Sequence, residues 1–421
     1  MAWIILFLNG QGTGRVLKFP LIMSRKLRII VGGLVGQFPL GGVAWDYFHY
    51  LIGLHELGHD VYYHEDTWVW PFDPVQKSPT DNPRYTVNFL SDFFKQHAPE
   101  LADKWHYVLL HEKHYGMSAV EFDAVAETAD IFLNVSGACF FPDRLRANCV
   151  KVFLDTDPGY NQIVMAERFA WSQNVDRWCE QIFAHDRHLT YAENIHGPDC
   201  LIPKLNIDWR ATRCVVTLPE WEAVRDSPPP ADAAFTTVMT WAYLPGKLMH
   251  NGVEYGTKVP EYDRFHDLPQ RVNVPLALAV GGEKAPREMI IKDGWKTIDA
   301  HTATLTAQSY QQLIQQSAGE WSVAKNVYTA THSGWFSCRT ACYLAAGRPA
   351  VVQETGWSRF VPAGKGLFAF STMEEAIAGL EAAAADPIRQ RAAAYEVARE
   401  YLAPDRVLPK MISDILETGP S

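Results

Sequence analysis

The 421-residue sequence lacks the features that would place it in several large classes of protein. Its seven cysteines are scattered without a Cys-x-x-Cys pair, which predicts reduced thiols, as in a cytoplasmic protein. The formal net charge is −10 at pH 7, which argues against a general nucleic-acid-binding protein. No apolar run reaches membrane-spanning length, and the sequence has no internal repeat or low-complexity tract.

What the sequence does contain is typical of a globular protein with more than one domain. Hydrophobic residues make up 48% and aromatic residues 12% of the chain, and its length favours two domains. The apolar run Trp3–Leu8 is too short for a membrane span and has no basic residue before it. We therefore interpret residues 1–23 as a poorly ordered extension, with Met23 a more natural start.

The first half of the chain predicts the opening of a doubly wound α/β sheet. A short buried strand over Leu27–Gly33 ends in glycines, a Gly-rich loop follows, and Val43–Leu57 has the pattern of a helix. A second strand begins near Val61, which completes a β-α-β unit. We expect residues 24–226 to form a Rossmann-like, acceptor-binding domain.

The run Ser227-Pro228-Pro229-Pro230 predicts a stiff connector to a second unit. Residues 231–403 alternate strands and helices again, and we expect them to form a second Rossmann-like domain. Val327–Thr329 is interpreted as one of its strands. The last helix, within 404–421, is expected to pack back on the first domain.

The most informative segment of the second unit starts at His332 and ends at Pro349. Its sequence His332-Ser333-Gly334-Trp335-Phe336-Ser337 precedes a helical run that stops at Gly347. Backbone N–H groups are unpaired at a helix start, and the helix dipole favours an anion there. The segment therefore predicts a phosphate-binding turn, although a plain turn before a core helix is the alternative.

The sequence of this segment resembles the His-Cys-Gly-Trp-Asn-Ser…Ala-Ala-Gly-x-Pro signature of nucleotide-sugar glycosyltransferases with the GT-B fold. The resemblance implies that His332, Gly334 and Ser337 contact the donor diphosphate, with Ser333 as a further donor, and that Glu354-Thr355-Gly356 touches the donor sugar. This chain has two extra residues before Ala-Ala-Gly, and no acid near Thr340 matches the family's ribose-binding glutamate.

Two other places are candidates for donor binding. Lys284 and Arg287 follow a predicted strand and could neutralise a diphosphate, although a solvated loop explains them equally well. Gly41 and Gly42 precede the first helix and could let the backbone approach an anion, or simply form a tight turn.

Three residues are candidates for the catalytic base. Asp46 lies where many inverting GT-B enzymes, by the same resemblance, carry a catalytic histidine. Asp157 follows a strand and could face the cleft between the domains, or cap a helix. His185 lies in a polar loop after a short extended piece and could accept a proton at neutral pH, although a surface loop is the simpler explanation.

The sequence His55-Glu56-Leu57-Gly58-His59 matches the zinc-protease pattern, which requires both histidines on one continuing helix. Gly58 is expected to end the helix before His59, so a zinc hydrolase is only a remote alternative. No metal site is predicted.

Together these features predict a metal-independent glycosyltransferase of GT-B architecture without a cofactor. Its donor would be a nucleotide-diphosphate sugar, with a UDP-sugar expected first, and its acceptor a small molecule or glycan. The alternatives are a GT-B-fold nucleotide-sugar epimerase and a non-catalytic nucleotide-sugar-binding protein.

Overall fold

The computed structural model describes residues 25–170, 174–241, 246–282 and 284–417, so the extension over 1–23 lies outside the described residues. The strands are β1 Arg28–Gly32, β2 Asp60–Asp66, β3 Phe72–Asp73, β4 Ser78–Pro79, β5 Trp105–Leu109, β6 Lys113–Gly116, β7 Ile131–Val135, β8 Val150–Asp155, β9 Arg187–Thr190, β10 Trp209–Ala211, β11 Phe235–Thr240, β12 Leu248–His250, β13 Val253–Tyr255, β14 Leu276–Gly281, β15 Lys296–Asp299, β16 Gly319–Ser322, β17 Ala350–Gln353 and β18 Leu367–Phe370.

The helices lie between these strands. They are α1 Gly41–Glu56, α2 Arg84–His97, α3 Ala119–Ala126, α4 Tyr160–Glu167, α5 Val175–Phe183, α6 Pro219–Asp226, α7 Val259–Asp263, α8 Arg287–Lys292, α9 Ala300–Thr304, α10 Ala307–Gln315, α11 Asn326–Ala330, α12 Cys338–Ala345, α13 Met373–Ala385, α14 Pro387–Tyr401 and α15 Pro404–Leu416. No helix within the described ranges is both long and apolar enough to cross a bilayer.

Two parallel sheets organise the chain. The first has the order β10-β9-β8-β7-β1-β2-β5-β6 and is parallel except for the β5–β6 pair. The second has the order β15-β14-β11-β16-β17-β18 and is parallel throughout. Helices cover both faces of such sheets, and accordingly Ile29, Ile30 and Val31 of β1 are buried whichever face they point to. Each sheet with its helices forms one Rossmann-like domain.

One helix forms where the sequence indicated a strand. Residues Val327–Thr329 lie in α11, which is a short helix following β16. β-branched residues favour strands only where a neighbouring strand is available, and here β17 occupies the place beside β16.

The last helix, α15, packs on the first domain. Its Pro404 and Leu408 lie against Gly53 of α1, where a Cβ atom would come within 2.8 Å of Pro404. The chain thus crosses from the second domain back to the first before it ends.

A buried arginine holds the connection between the domains. The Arg348 side chain is fully buried, and it donates to the carbonyl oxygens of Ser227 at 2.7 Å, Gln315 at 3.0 Å and Ala346 at 3.1 Å. Ser227 begins the Pro-rich connector. Burial, with some repulsion from Arg391, lowers the pKa of Arg348 to about 10, so the group stays charged at neutral pH.

Replacing Arg348 with Met should destabilise the protein, because the carbonyl oxygens of Ser227, Gln315 and Ala346 lose a charged donor. We expect a loss of about 3 kcal/mol or more in the free energy of unfolding, measured by chemical denaturation. Arg389→Gln, on the exposed surface of α14, is the matched control and should change little. Equal effects of the two substitutions would contradict this role for Arg348.

Candidate functional site

A cleft with a cavity of about 550 Å³ lies between the two domains. The first domain lines it with the start of α1 and with the segment after β8, and the second with the end of β11 and the starts of α7, α11 and α12. Because parallel strands present their carboxyl ends at one edge of a sheet, such a crevice is the usual binding site in this class of fold. The side chains that bring charge into it are Asp46, Asp157, Lys258, Lys325 and Arg339.

Three of these side chains are cations from the second domain. Arg339, in the first turn of α12, donates to Glu320 at 2.7 Å and to the carbonyl oxygen of Val238 at 2.8 Å. Lys325 precedes α11 and pairs with Asp157 of the first domain. Lys258 precedes α7, and no ion pair of its ammonium group is found among the described residues.

Lys258 is electrostatically unusual. Removal from water and the nearby positive charge of Arg339 hold the pKa of Lys258 well below its usual range, although the carboxylate of Glu320 acts in the opposite direction. An anion that entered the cleft would reverse this effect. The cluster of Lys258, Lys325 and Arg339, called the cation cluster below, therefore favours a multiply charged anion.

Two carboxyl groups of the first domain face the same cavity. Asp157 accepts hydrogen bonds from Lys325 and from the Tyr328 hydroxyl, so its charge is neutralised across the cleft. Asp46 accepts a bond from the Cys338 thiol, and removal from water raises the pKa of Asp46 to about 7 in spite of that bond and of Arg339. Asp46 can therefore gain or lose a proton near neutral pH.

The start of α12 also borders the cleft. Ser337 is the N-cap residue with an extended backbone, and its side chain forms no capping hydrogen bond. Ser337, Cys338 and Arg339 all line the cavity. The unpaired N–H groups of this eight-residue helix therefore add to the positive potential of the cation cluster.

Three of the four signature residues predicted to contact the donor lie outside the cavity. Ser333 is buried and its hydroxyl donates to the carbonyl oxygen of Tyr328, while His332 is exposed outside the cavity with φ +49°. Gly334 packs so closely on Asn194 that a Cβ atom would lie 2.6 Å from the Asn194 nitrogen. The His332–Gly334 turn thus joins the two domains, and only Ser337 of the four lines the cleft.

The residues predicted to touch the donor sugar brace this turn. The Thr355 hydroxyl donates to the carbonyl oxygen of Trp335 at 2.7 Å, and the Thr355 carbonyl accepts from Gly334 at 2.7 Å. The Glu354 carboxylate accepts from the backbone of Gly356 at 2.5 Å. The Thr355 hydroxyl and one oxygen of the Glu354 carboxylate are therefore engaged within the protein.

Of the other residues predicted to contact the donor, some line the cleft and some do not. Lys284 and Arg287 are exposed and lie outside the cavity, and Arg287 donates to the carbonyl oxygen of Val280 at 3.3 Å. Gly42 lines the cleft, whereas Gly41 permits the domains to touch, because a Cβ atom there would lie 2.1 Å from the Thr306 carbonyl oxygen.

The structure separates His185 from the other two candidates for the base. Its ring is buried, shares a 3.2 Å contact with the Asn134 amide and lies outside the cleft. Burial, helped by His188, lowers the pKa of His185 to about 3, which makes it a poor base at neutral pH. Asp46 and Asp157 do line the cleft.

The zinc-protease pattern does not lie on one helix. Helix α1 ends at Glu56, Gly58 adopts φ +90°, and His59 accepts a bond from the Leu27 backbone at 3.3 Å. His55 and His59 therefore do not form a helical pair of ligands. Among the residues that the structure describes, no group of three or more His, Cys, Asp or Glu side chains is placed to hold a metal ion.

Sequence reasoning missed the cation cluster. Lys258 and Lys325 each precede a helix of five residues, and they lie 67 positions apart, so no local spacing joins them. Arg339 lies within the signature segment but was not singled out there as a functional residue. The fold alone brings the three side chains to one cleft.

Comparison with known proteins shows the same architecture. AviGT4, a glycosyltransferase involved in avilamycin A biosynthesis, is 13% identical over 92% of this chain and 97% of its own, with a TM-score of 0.50. An alpha-glucosyltransferase in complex with UDP and a 13-mer DNA containing a central A:G mismatch is 11% identical over 93% and 100%, with a TM-score of 0.56. The N-terminal domain of Candida albicans trehalose-6-phosphate phosphatase is 10% identical over 97% and 98%, with a TM-score of 0.50.

The fold is GT-B. This confirms the predicted pair of Rossmann-like domains facing a cleft. No protein-family model matches the chain, and no curated protein sequence matches it. Identities this low show a shared fold, and a fold by itself does not fix an activity.

The cation cluster predicts that pyrophosphate binds in the cleft with uptake of a proton. Removal from water and the nearby charge of Arg339 hold the pKa of Lys258 well below its usual range, and a bound anion raises that pKa again. Titration calorimetry in HEPES and Tris buffers should therefore show proton uptake, and the affinity should fall as the pH rises.

Lys258→Gln should weaken pyrophosphate binding about tenfold or more and reduce the proton uptake. The exposed Lys284→Gln variant should bind as the wild type does. Protons that pyrophosphate itself takes up contribute equally to the wild type and both variants, so a difference between the proteins reports the proton bound by Lys258. Undiminished proton uptake in Lys258→Gln would assign the proton to another group.

Proposed function

We propose that this protein is a glycosyltransferase that moves a sugar from a nucleotide-diphosphate sugar, a UDP-sugar first among them, to a hydroxyl group of an acceptor. The observation that carries the proposal is the arrangement of the cleft. Three cations and a helix start lie on its second-domain side, and an aspartate with a pKa of about 7 lies on the opposite side.

The donor diphosphate is assigned to the cation cluster. When the bond between the anomeric carbon and the diphosphate oxygen breaks, negative charge builds up on that oxygen. Lys258, Lys325 and Arg339 can each meet this charge, and the start of α12 adds its dipole. Preorganised cations of this kind can perform the role that a divalent metal performs elsewhere, and we propose a metal-independent reaction.

Asp46 is assigned as the base that activates the acceptor. In its ionised form it would accept the proton of the attacking hydroxyl while the acceptor oxygen bonds to the anomeric carbon. Its pKa of about 7 matches this task, because such a base is about half ionised at pH 7 and binds a proton more strongly than an ordinary carboxylate does. Asp157 is better suited to hold Lys325 and the two domains in place.

A thermal-shift screen with UDP-, dTDP- and GDP-glucose tests the donor class. At about 1 mM, at least one should raise the melting temperature of the wild type. Lys258→Gln should reduce the shift. His332→Ala should preserve it, because that side chain lies outside the cavity. No shift with any nucleotide sugar, or loss of the shift only in His332→Ala, would overturn the assignment.

The pH dependence of turnover tests Asp46. We expect kcat/KM, followed as UDP release from UDP-glucose with a mixture of simple sugars and phenols, to rise with pH and level off above about 7, as Asp46 ionises. Asp46→Asn should lower the rate about 100-fold and remove this rise.

The exposed Asp103→Asn is the matched control for the pH series and should keep the wild-type profile. Product analysis separates the alternatives, since an epimerase would change the sugar of UDP-glucose without an acceptor. A pH profile that is unchanged in Asp46→Asn would exclude this residue as the base.

A further inference from the structure

A second cavity, of about 400 Å³, opens in the first domain beside the cleft. It lies at the carboxyl ends of β2, β7 and β8, where Thr67, Ser136 and Asn161 form part of its wall. The Ser136 hydroxyl is 2.8 Å from the hydroxyl of Thr156, which lines the cleft. The two cavities are therefore neighbours, and we call this one the side cavity.

Aromatic rings and uncharged polar groups dominate the wall of the side cavity. Gln37, Asn161 and Gln181 bring amides to it. Ring faces suit a flat or cyclic ligand, and amides suit its hydroxyl groups. The aromatic residues are Trp68, Phe140, Tyr160 and Trp178.

Arg177 is the one charged residue among the described residues that line the side cavity. Its guanidinium carbon lies 3.9 Å from the centre of the Trp68 ring and 4.5 Å from that of Phe140. Within the described part of the chain the guanidinium forms no ion pair. Two rings thus position a planar cation whose hydrogen-bond donors are available.

The surroundings support a ligand-binding role for this arginine. Trp68 adopts φ +58°, which is rare for an aromatic residue, and 40% of its surface is exposed. The carboxylate of Asp66, two residues earlier, pairs with His111 at 2.5 Å. Asp176, the neighbour of Arg177 on α5, pairs with Arg168 at 2.9 Å. Both acids are thus engaged with other side chains, and Arg177 is left for a carboxylate or phosphate, which its fork of donors binds bidentately.

We propose that the acceptor is an anionic ring compound, whose carboxylate or phosphate binds Arg177 while its ring packs against the aromatic wall of the side cavity. This inference rests on the proposed function, because it places the acceptor hydroxyl toward Thr156 and the cleft. It narrows the acceptor from any small molecule or glycan to a ring compound that carries an anionic group.

Binding of paired probes in the absence of a donor tests the inference. The probes are 4-hydroxybenzoate with its methyl ester, and glucose 6-phosphate with glucose, followed by tryptophan fluorescence and calorimetry. We expect at least one anionic member to bind about tenfold or more tightly than its neutral partner, and the pair that responds distinguishes a carboxylate from a phosphate.

Arg177→Gln should remove that preference and leave the neutral probe and UDP unaffected. Trp68→Leu should weaken it as well, because the guanidinium loses its platform. Arg389→Gln, in the other domain, is the matched control and should behave as the wild type does. Binding of the anionic probe that survives Arg177→Gln, equal binding of charged and neutral probes, or no probe binding would overturn the inference.

These outcomes are separate from the test of the proposed function. A protein that binds UDP-glucose but no anionic probe keeps the glycosyltransferase proposal and loses the anionic acceptor. A protein that binds the anionic probe through Arg177 but no nucleotide sugar keeps the side cavity as an anion site and loses the proposed reaction.

Discussion

The arrangement of the two domains depends on one constraint, which is that three positively charged side chains lie close together in the cleft. Lys258, Lys325 and Arg339 repel one another, and each needs compensation in a partly dry site. Glu320, which is fully buried, compensates Arg339 from within the second domain. Asp157 compensates Lys325 from the first domain, so the electrostatic balance of the site requires both domains. Lys258 is left without an ion pair among the described residues, and the diphosphate of the proposed donor would supply the missing negative charge.

Close backbone contacts hold the domains at the distance that this pairing needs. Gly41 meets Thr306 and Gly334 meets Asn194, at separations that no side chain would permit. The Trp335 indole donates to the carbonyl oxygen of Thr156 at 3.2 Å, next to the paired Asp157. A glycine that allows a ligand to approach and one that allows another domain to approach look identical in a sequence. Helix-start chemistry and the resemblance predicted a donor site at the signature turn, and in the structure residues His332–Gly334 of that turn contact Asn194 of the first domain.

Features that depend on residues close together in the sequence could be predicted from local sequence patterns. An apolar run ending in glycines predicted β1, and the stop at Gly58 predicted the end of α1 before His59. The candidate site depended on contacts between distant residues and was only partly predictable. Asp46 and Asp157 could be proposed because each adjoins a recognisable strand or turn. Lys258 and Arg177 could not, since each acquires its significance from neighbours far away in the sequence, Arg339 in one case and Trp68 in the other.

One buried carboxyl group, that of Glu65, holds the loop that borders both the side cavity and the cleft. Glu65 accepts from the backbone N–H groups of Gly36 and Gln37, both at 2.6 Å, and from the Tyr63 hydroxyl at 2.5 Å. Gln37 lines the side cavity, and the same loop continues to Gly42 in the cleft. Burial raises the pKa of Glu65 to about 7 in spite of these bonds, so its hold on the loop is strongest when it is ionised at higher pH. The same change of pH ionises Asp46, so the loop is held most firmly in the pH range in which the proposed base is ready to accept a proton.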